Sequence, residues 1–143
     1  MNTHDTDFYT WTQEQSALLK QGRFMDTDVE HLIEELESMG ATERRELTNR
    51  LGILLAHLLK WQYQPERRGK SWRLTVKEQR QRVARILRQN PGLKPSLGES
   101  MEDAYGDALL IAERETNLDE TTFPIECPWS IGQVLDMDFW PNT

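Results

Sequence analysis

Apolar residues recur at helical spacing through most of the chain. Between residues 42 and 65, Leu47, Leu51, Leu54, Leu58 and Trp61 are separated by alternating steps of four and three residues. This spacing is a heptad seam. Further apolar residues lie at other angles around the same segment, which predicts a central helix buried on nearly all sides. Pro65 ends this helix, because proline cannot continue helical hydrogen bonding.

Capping and stop residues divide the rest of the chain into further helices. Thr12, with Gln15 three residues later, has the capping-box spacing that starts a short first helix. Gly40 marks the end of the second helix, because glycine is preferred just past a helix terminus. The predicted helices span 12–22, 26–39 with Asp26 or Thr27 as the cap, 42–64, a fourth helix that starts at Ser71 or Thr75 and ends at 89, and about 96–116. Ser130 with Gln133 caps a short last helix.

The fold class predicted from these elements is all-α. Short connections place consecutive helices side by side. We therefore predict an antiparallel up-and-down bundle of four main helices, the second to the fifth, with short terminal helices. The 143 residues fit a single domain over 1–143. Residues 1–7 are expected to be flexible, and 117–143 to be largely irregular around one short helix.

The composition of the chain indicates the cellular compartment in which the protein is expected to act. Cys127 is the single cysteine, so no internal disulfide can form, and a single thiol suits a reducing compartment. The N-terminus lacks the basic start and apolar stretch of a signal peptide. The apolar run from Leu51 to Leu59 is far shorter than the ~20 residues of a membrane span. These features predict a cytoplasmic protein without a membrane-spanning helix.

The charge of the chain is unevenly distributed. The net charge is −7, yet residues 66–88 hold nine basic and two acidic residues, a local balance of +7. Residues 95–120 hold eight acidic residues and only one basic residue, Arg114, and the default expectation is that they neutralise the basic segment within the molecule. The candidate contact surface comprises Arg67, Arg68, Lys70, Trp72, Arg73, Lys77, Arg82, Arg85 and Arg88.

This asymmetry predicts a non-enzymatic helical module that contacts an acidic protein partner, or a second copy of the chain offering an acidic face. Nucleic-acid binding through the basic helix is an alternative, since clustered arginines bind phosphates and Trp72 could stack on a base. The overall negative charge makes that alternative weaker.

A second alternative is a small metal-independent enzyme. His57 lies at the flank of the heptad seam and needs a hydrogen-bond partner there, because an unpaired buried polar group costs ~1–3 kcal/mol. We predict a polar cluster of Glu35, His57 and Arg80 with Lys60 at the edge of the core. Its structural interpretation is a network that fixes helix register. Its functional interpretation is an acid–base pair of His57 and Glu35.

The sequence gives little reason to assign a chemical role to the other candidate residues. His31 is one turn from Glu34 and Glu35, but it is predicted to point outward as a solvated pair, so no metal site is expected. His4 falls in a predicted frayed end, and Cys127 lacks a basic neighbour that would activate it. No phosphate-binding glycine loop, nucleophile motif or cofactor motif is present.

Several motifs in one order resemble a known family. They are "DFYTW", "IEELESMG", "LAHLLKWQYQPERR", "SW", "VKEQRQRV", "FPIECPWSIGQVL" and "DFWP". Together they resemble the bacterial domain-of-unknown-function family number twenty-nine, which is common in cyanobacteria and proteobacteria. The resemblance extends from about Asp7 to Pro141. It implies a helical fold and no particular activity.

Overall fold

A computed structural model describes residues 3–142 and contains helices but no strand among them. The α-helices are α1 (Thr3–Thr6), α2 (Phe8–Lys20), α3 (Val29–Tyr63), α4 (Lys70–Gln89), α5 (Leu97–Glu115) and α6 (Ile131–Leu135). Short 3-10 turns cover Phe24–Asp26, Pro65–Arg67, Pro91–Ser96 and Glu120–Thr122. The prediction of an all-α protein is confirmed. None of the described helices is both long and apolar enough to cross a membrane.

The chain divides into two compact units, one up to Ala41 and one from Thr42 onward. The single domain predicted over 1–143 stays a prediction. In the first unit, α2 begins earlier than predicted because the Asp7 side chain accepts a hydrogen bond from the backbone amide of Thr10. Gly22, with a φ of 73°, lies just beyond the end of α2, at position 22 where the first helix was predicted to end. Residues 3–6 of the stretch expected to be flexible form α1, and residues 1 and 2 lie outside the described residues.

The predicted break between a second and a third helix is wrong. α3 runs without interruption from Val29 to Tyr63, through both Gly40 and Thr42. A glycine inside a helix costs only ~1 kcal/mol relative to alanine. The neighbours Met39, Ala41 and Glu43 tolerate the helical conformation well, so the glycine does not end the helix.

The hydrophobic core of the second unit is built on the leucine-rich half of α3, as the heptad seam predicts. Leu51, Leu54, Leu55, Leu58 and Leu59 are fully buried. They belong to one cluster with buried residues of α4, α5 and the C-terminal segment, namely Val76, Val83, Leu87, Met101, Ala104, Tyr105, Ala108, Ala112, Phe123 and Val134. The alanines of α5 face this cluster, and the backbone oxygen of Ala104 lies only 3.6 Å from a Cβ placed on Gly52.

Contacts between helix ends give the direction of each helix in the second unit. Arg44 pairs with Glu99 at 2.9 Å, and Lys60 pairs with Glu115 at 2.7 Å. α3 and α5 therefore run parallel. Lys60, near the end of α3, lies over the ring of Trp72, near the start of α4. α4 is thus antiparallel to α3, and the three helices run up, down and up.

The finer prediction of a four-helix antiparallel bundle is not settled by these contacts, and its assumption of a separate helix over 26–39 is wrong. From Val29 onward that segment is the N-terminal part of α3, and it belongs to the first unit. The short last helix is confirmed. Ser130 and Gln133 form the predicted capping box at the start of α6.

Candidate functional site

His57 lies on α3 and is half-buried. Its Nδ1 is 2.9 Å from the carbonyl oxygen of Ile53. Because a carbonyl only accepts hydrogen bonds, Nδ1 carries the proton, and Nε2 of the neutral ring holds a lone pair. Burial, together with the charge of Lys60, lowers the pKa of His57, although the Ile53 hydrogen bond and Glu115 oppose this shift. His57 is therefore a neutral imidazole at pH 7.

Lys60, one turn beyond His57, is only 5% exposed. Its ammonium donates to Glu115 Oε1 at 2.7 Å and lies 5.1 Å from the centre of the Trp72 ring. The hydrogen bond from Lys60 lowers the pKa of Glu115, whose burial opposes that shift. A buried ammonium is stabilised by an opposite charge and by the face of an aromatic ring. Lys60 has one partner of each kind.

Tryptophans and arginines surround the same end of α3. Trp61 packs on Trp140 with ring centroids 4.3 Å apart. Arg68 lies over Trp61 at 5.1 Å and donates to the carbonyl oxygen of Trp61. Arg80 lies over Trp140 at 5.6 Å. The motif residues around "HLLKW", "ERR", "SW" and "FWP" therefore meet in one place, where the C-terminal segment docks on α3 and α4.

The predicted polar cluster of Glu35, His57 and Arg80 is wrong in its partners. Glu35 lies in the first unit and is hydrogen-bonded to His4. The guanidinium of Arg80 donates instead to the carbonyl oxygens of Val134 and Phe139, at 2.8 Å each. Sequence periodicity placed these side chains at the edge of the core. It could not show that backbone carbonyls of the distant C-terminal segment, in and just after α6, would be the acceptors for Arg80.

The enzyme alternative loses its proposed pair with this correction. Glu35 does not orient His57, whose polar neighbours are Lys60 and Glu115. Within the described residues, His57 lines none of the five surface cavities of about 160, 480, 530, 570 and 670 Å³.

The predicted contact surface separates into two parts. Trp72 and Arg68 are half-buried and belong to the tryptophan–arginine contacts just described. Arg82 is exposed and pairs with Glu78 on its own helix at 2.9 Å. The remaining members are exposed and, across residues 3–142, form no salt bridge with an acidic residue; they are Arg67, Lys70, Arg73, Lys77, Arg85 and Arg88.

The expected neutralisation of the basic segment by the acidic fifth helix is wrong at the level of ion pairs. The salt bridges of α5 in the described chain lead to α3, from Glu99 to Arg44 and from Glu115 to Lys60. This follows from the up-down-up order, because the basic side chains of α4 project away from the core that α4 shares with α5. The outer face of α4 therefore keeps its positive charge.

Sequence reasoning missed a histidine cluster in the first unit. His4 is not at a frayed end, since its ring stacks on His31 with centroids 4.1 Å apart and packs edge-on against Trp11. His31 is not a simple solvated residue either, because its Nδ1 is 2.7 Å from Asp28 Oδ2. The available signal was the aromatic-rich start of the chain, with His4 only four residues before Phe8.

Cys127 matches its sequence-based prediction of an unactivated thiol. Burial raises its pKa, and the nearby Trp129 carbonyl only partly opposes the shift. The thiol faces Trp129 O at 3.5 Å. A raised pKa leaves little thiolate at neutral pH, and the thiolate is the reactive form.

These features define the class of protein: an all-helical chain with a leucine-rich central helix, an exposed basic helix face and a polar histidine cluster. The family described as Domain of unknown function DUF29 matches residues 3–140, so the chain belongs to that family. The resemblance seen in the sequence motifs is confirmed. No curated protein and no solved structure matches the chain.

Proposed function

We propose that the protein acts by binding another protein, and that the outer face of α4 is its contact surface. This basic face comprises Lys70, Arg73, Lys77, Arg85 and Arg88. Residues advance ~100° around an α-helix, so Lys70, Lys77 and Arg88 lie within about 20° of one another, and the other two flank them. The observation that carries the proposal is that these five exposed cations have no acidic partner among residues 3–142.

The chemistry of this face suits an acidic protein surface. Leu74 lies among the cations and is 51% exposed, which adds apolar contact area to the charged patch. Complementary charge steers association and excludes wrongly charged partners. A partner with acidic side chains around a small apolar patch fits this face. An acidic region of a second copy of the chain is one such partner.

Nucleic-acid binding draws on the same cations but has less support. The whole chain carries −7, and this net charge opposes approach to a polyanion. Trp72, the residue proposed to stack on a base, is instead half-buried beside Lys60. The thiol of Cys127, which is not part of a disulfide, is compatible with a reducing compartment, and we propose the cytoplasm as the site of action.

The test compares two charge-reversed variants of the full chain. Lys77→Glu combined with Arg88→Glu inverts the centre of the basic face. Arg45→Glu combined with Lys94→Glu is the matched control, because both residues are exposed, lie elsewhere and change the net charge equally. Each protein is titrated with a polyglutamate peptide and with duplex DNA over a range of salt concentrations. Self-association is followed by sedimentation velocity.

We expect the wild-type protein to bind polyglutamate or to self-associate in a salt-dependent manner. The Lys77/Arg88 variant should lose at least about tenfold in affinity, or ~1.4 kcal/mol, whereas the control should keep its affinity. Tighter binding to DNA than to polyglutamate would favour the nucleic-acid alternative. An equal loss in both variants would show only an effect of net charge, and either of these results overturns the proposal.

A further inference from the structure

The first unit contains two stacked imidazoles surrounded by carboxylates. The rings of His4 and His31 lie 4.1 Å apart between centroids, with an interplanar angle of 20°. One side-chain nitrogen or oxygen atom from each of His4, Asp5 and His31 lies within 4.8 Å of the others. α1 contributes His4 and Asp5, and the start of α3 contributes His31.

Each imidazole is held by a carboxylate at one nitrogen. His4 Nε2 is 2.7 Å from Glu35 Oε1, and His31 Nδ1 is 2.7 Å from Asp28 Oδ2. The opposite nitrogens are the candidate metal-coordinating atoms. They are Nε2 of His31 and Nδ1 of His4, which faces Asp5 Oδ1. Histidines that bind metals usually donate their other N–H to a carboxylate, which fixes the tautomer and makes the coordinating nitrogen more basic.

We infer that His4, Asp5 and His31 form a binding site for a divalent transition-metal ion, with Glu35 and Asp28 as the supporting carboxylates. Asp5 supplies the oxygen ligand, since its Oδ1 lies 3.0 Å from His4 Nδ1. In the metal-bound state the ion replaces the proton between these two atoms. The set of two imidazoles and one carboxylate leaves at least one coordination position open for water or another ligand.

The donor atoms select the class of metal. Imidazole nitrogens suit Zn²⁺, Cu²⁺, Ni²⁺ and Fe²⁺, whereas Mg²⁺ and Ca²⁺ prefer sites built from oxygen atoms alone. Ligands at ~2.0–2.2 Å from Zn²⁺ are roughly 3.4 Å apart in a tetrahedral site. The widest separation between the donor atoms, which is at most 4.8 Å, therefore needs to shorten by up to about 1.4 Å. α1 has only four residues and no buried side chain, so it can make this adjustment.

Aromatic side chains pack against one side of the histidine cluster, which favours a metal site over a solvated ion pair. Trp11 is 3% exposed, packs edge-on against His4 and donates from its indole nitrogen to Asp28 Oδ2 at 3.0 Å. The ring of Phe8 packs edge-on against His4 from a second direction, with ring centroids 5.5 Å apart. These contacts orient both the coordinating ring of His4 and the carboxylate that supports His31.

The experiment uses the full chain without a histidine tag. Zn²⁺ binding is measured by isothermal titration calorimetry, and Co²⁺ is added separately so that its absorption spectrum reports the coordination geometry. The variants are His4→Gln, His31→Gln and Glu35→Gln. His57→Gln is the matched control, because it removes an imidazole that is not part of the cluster. Circular dichroism checks the fold, and Asp5→Asn replaces any histidine variant that does not fold.

We expect one Zn²⁺ per chain and a tetrahedral or five-coordinate Co²⁺ spectrum. His4→Gln and His31→Gln should weaken binding by at least about a hundredfold, Glu35→Gln by about 10–100-fold, and His57→Gln not at all. Failure of the wild-type chain to bind Zn²⁺ would overturn the inference. It would also be overturned if the His57 variant lost as much affinity as the His31 variant. The basic face of α4 takes no part in this test, so its result is independent of the proposed function.

Discussion

At the scale of single residues, the two polar side chains of the leucine-rich motif have different roles. His57 satisfies one nitrogen within its own helix, on the Ile53 carbonyl, and stays neutral. Lys60 places its ammonium between the Glu115 carboxylate and the Trp72 ring. The sequence showed that both lie near the core, but their chemistry depends on contacts from α4 and α5.

The pH dependence of stability should reveal the neutral state of His57. Its folded-state pKa is lowered from 6.5, so below pH 6.5 the unfolded chain binds a proton that the folded chain does not. Stability attributable to His57 is therefore complete above pH 6.5 and is lost as the pH falls towards the folded-state pKa, with a slope of at most ~1.4 kcal/mol per pH unit.

Urea denaturation of the wild-type chain and of His57→Gln between pH 5 and 8 measures this contribution. The difference between the two free energies of unfolding should change below pH 6.5 and be constant above it. Titrating groups far from His57 are present in both proteins, so their contributions to the difference cancel. A difference that is constant across the whole range would contradict the prediction.

The Lys60–Glu115 pair should respond asymmetrically to substitution. Glu115→Ala leaves the buried ammonium without its carboxylate and should lower the free energy of unfolding by roughly 2 kcal/mol, less than for a fully buried pair because Glu115 is partly solvated. Lys60→Met removes the charge but keeps the apolar volume, and should change stability by less than ~1 kcal/mol. Thermal and urea unfolding measure both, and equal losses would contradict the asymmetry.

At the scale of elements, the sequence pattern predicted which residues of a helix are buried better than it predicted where the helix begins and ends. The seam through Leu51, Leu54 and Leu58 identified the buried face of α3 correctly, because burial on one side leaves a periodic pattern. The boundary at Gly40 was wrong, because a glycine that is preferred beyond a helix end is also tolerated inside one. The carbonyl partners of Arg80 were beyond prediction, since they lie in α6 and in the irregular stretch after it, more than 50 residues away.

Substitution of Gly40 and Gly22 should distinguish a glycine inside a helix from a glycine just beyond a helix end. In Gly40→Ala the new Cβ meets nothing within 4 Å, and the helix should be stabilised by ~0.5–1 kcal/mol. Gly22 has a φ of 73°, so Gly22→Ala should destabilise the chain by about 1–2 kcal/mol, because Cβ disfavours that conformation. Thermal unfolding with circular dichroism detects both. Destabilisation by Gly40→Ala would show that α3 is interrupted there after all.

At the scale of the whole molecule, charge and burial divide the chain at the same place. Residues 1–41 carry nine acidic and two basic residues, a balance of −7, whereas 42–143 carry fifteen of each. Among the described residues up to Ala41, only Trp11 and Gln15 are buried. Val29, Ile33 and Leu36 follow the pattern of a core stripe, yet they are 56%, 51% and 66% exposed. Periodicity shows which residues share a face and cannot show whether another element covers that face.

Amide hydrogen exchange along α3 should therefore fall into two classes, although the helix is continuous. Exchange from 51–60 requires opening of the core and should be among the slowest in the chain, close to global unfolding. Exchange from 30–41 requires only local opening of a helix with little buried surface, and should be faster by several orders of magnitude. Mass spectrometry of peptides from each half measures this at two protein concentrations. Equal protection of both halves at low concentration would contradict the prediction, whereas protection of 30–41 that appears only at high concentration would show that a second copy covers the exposed stripe.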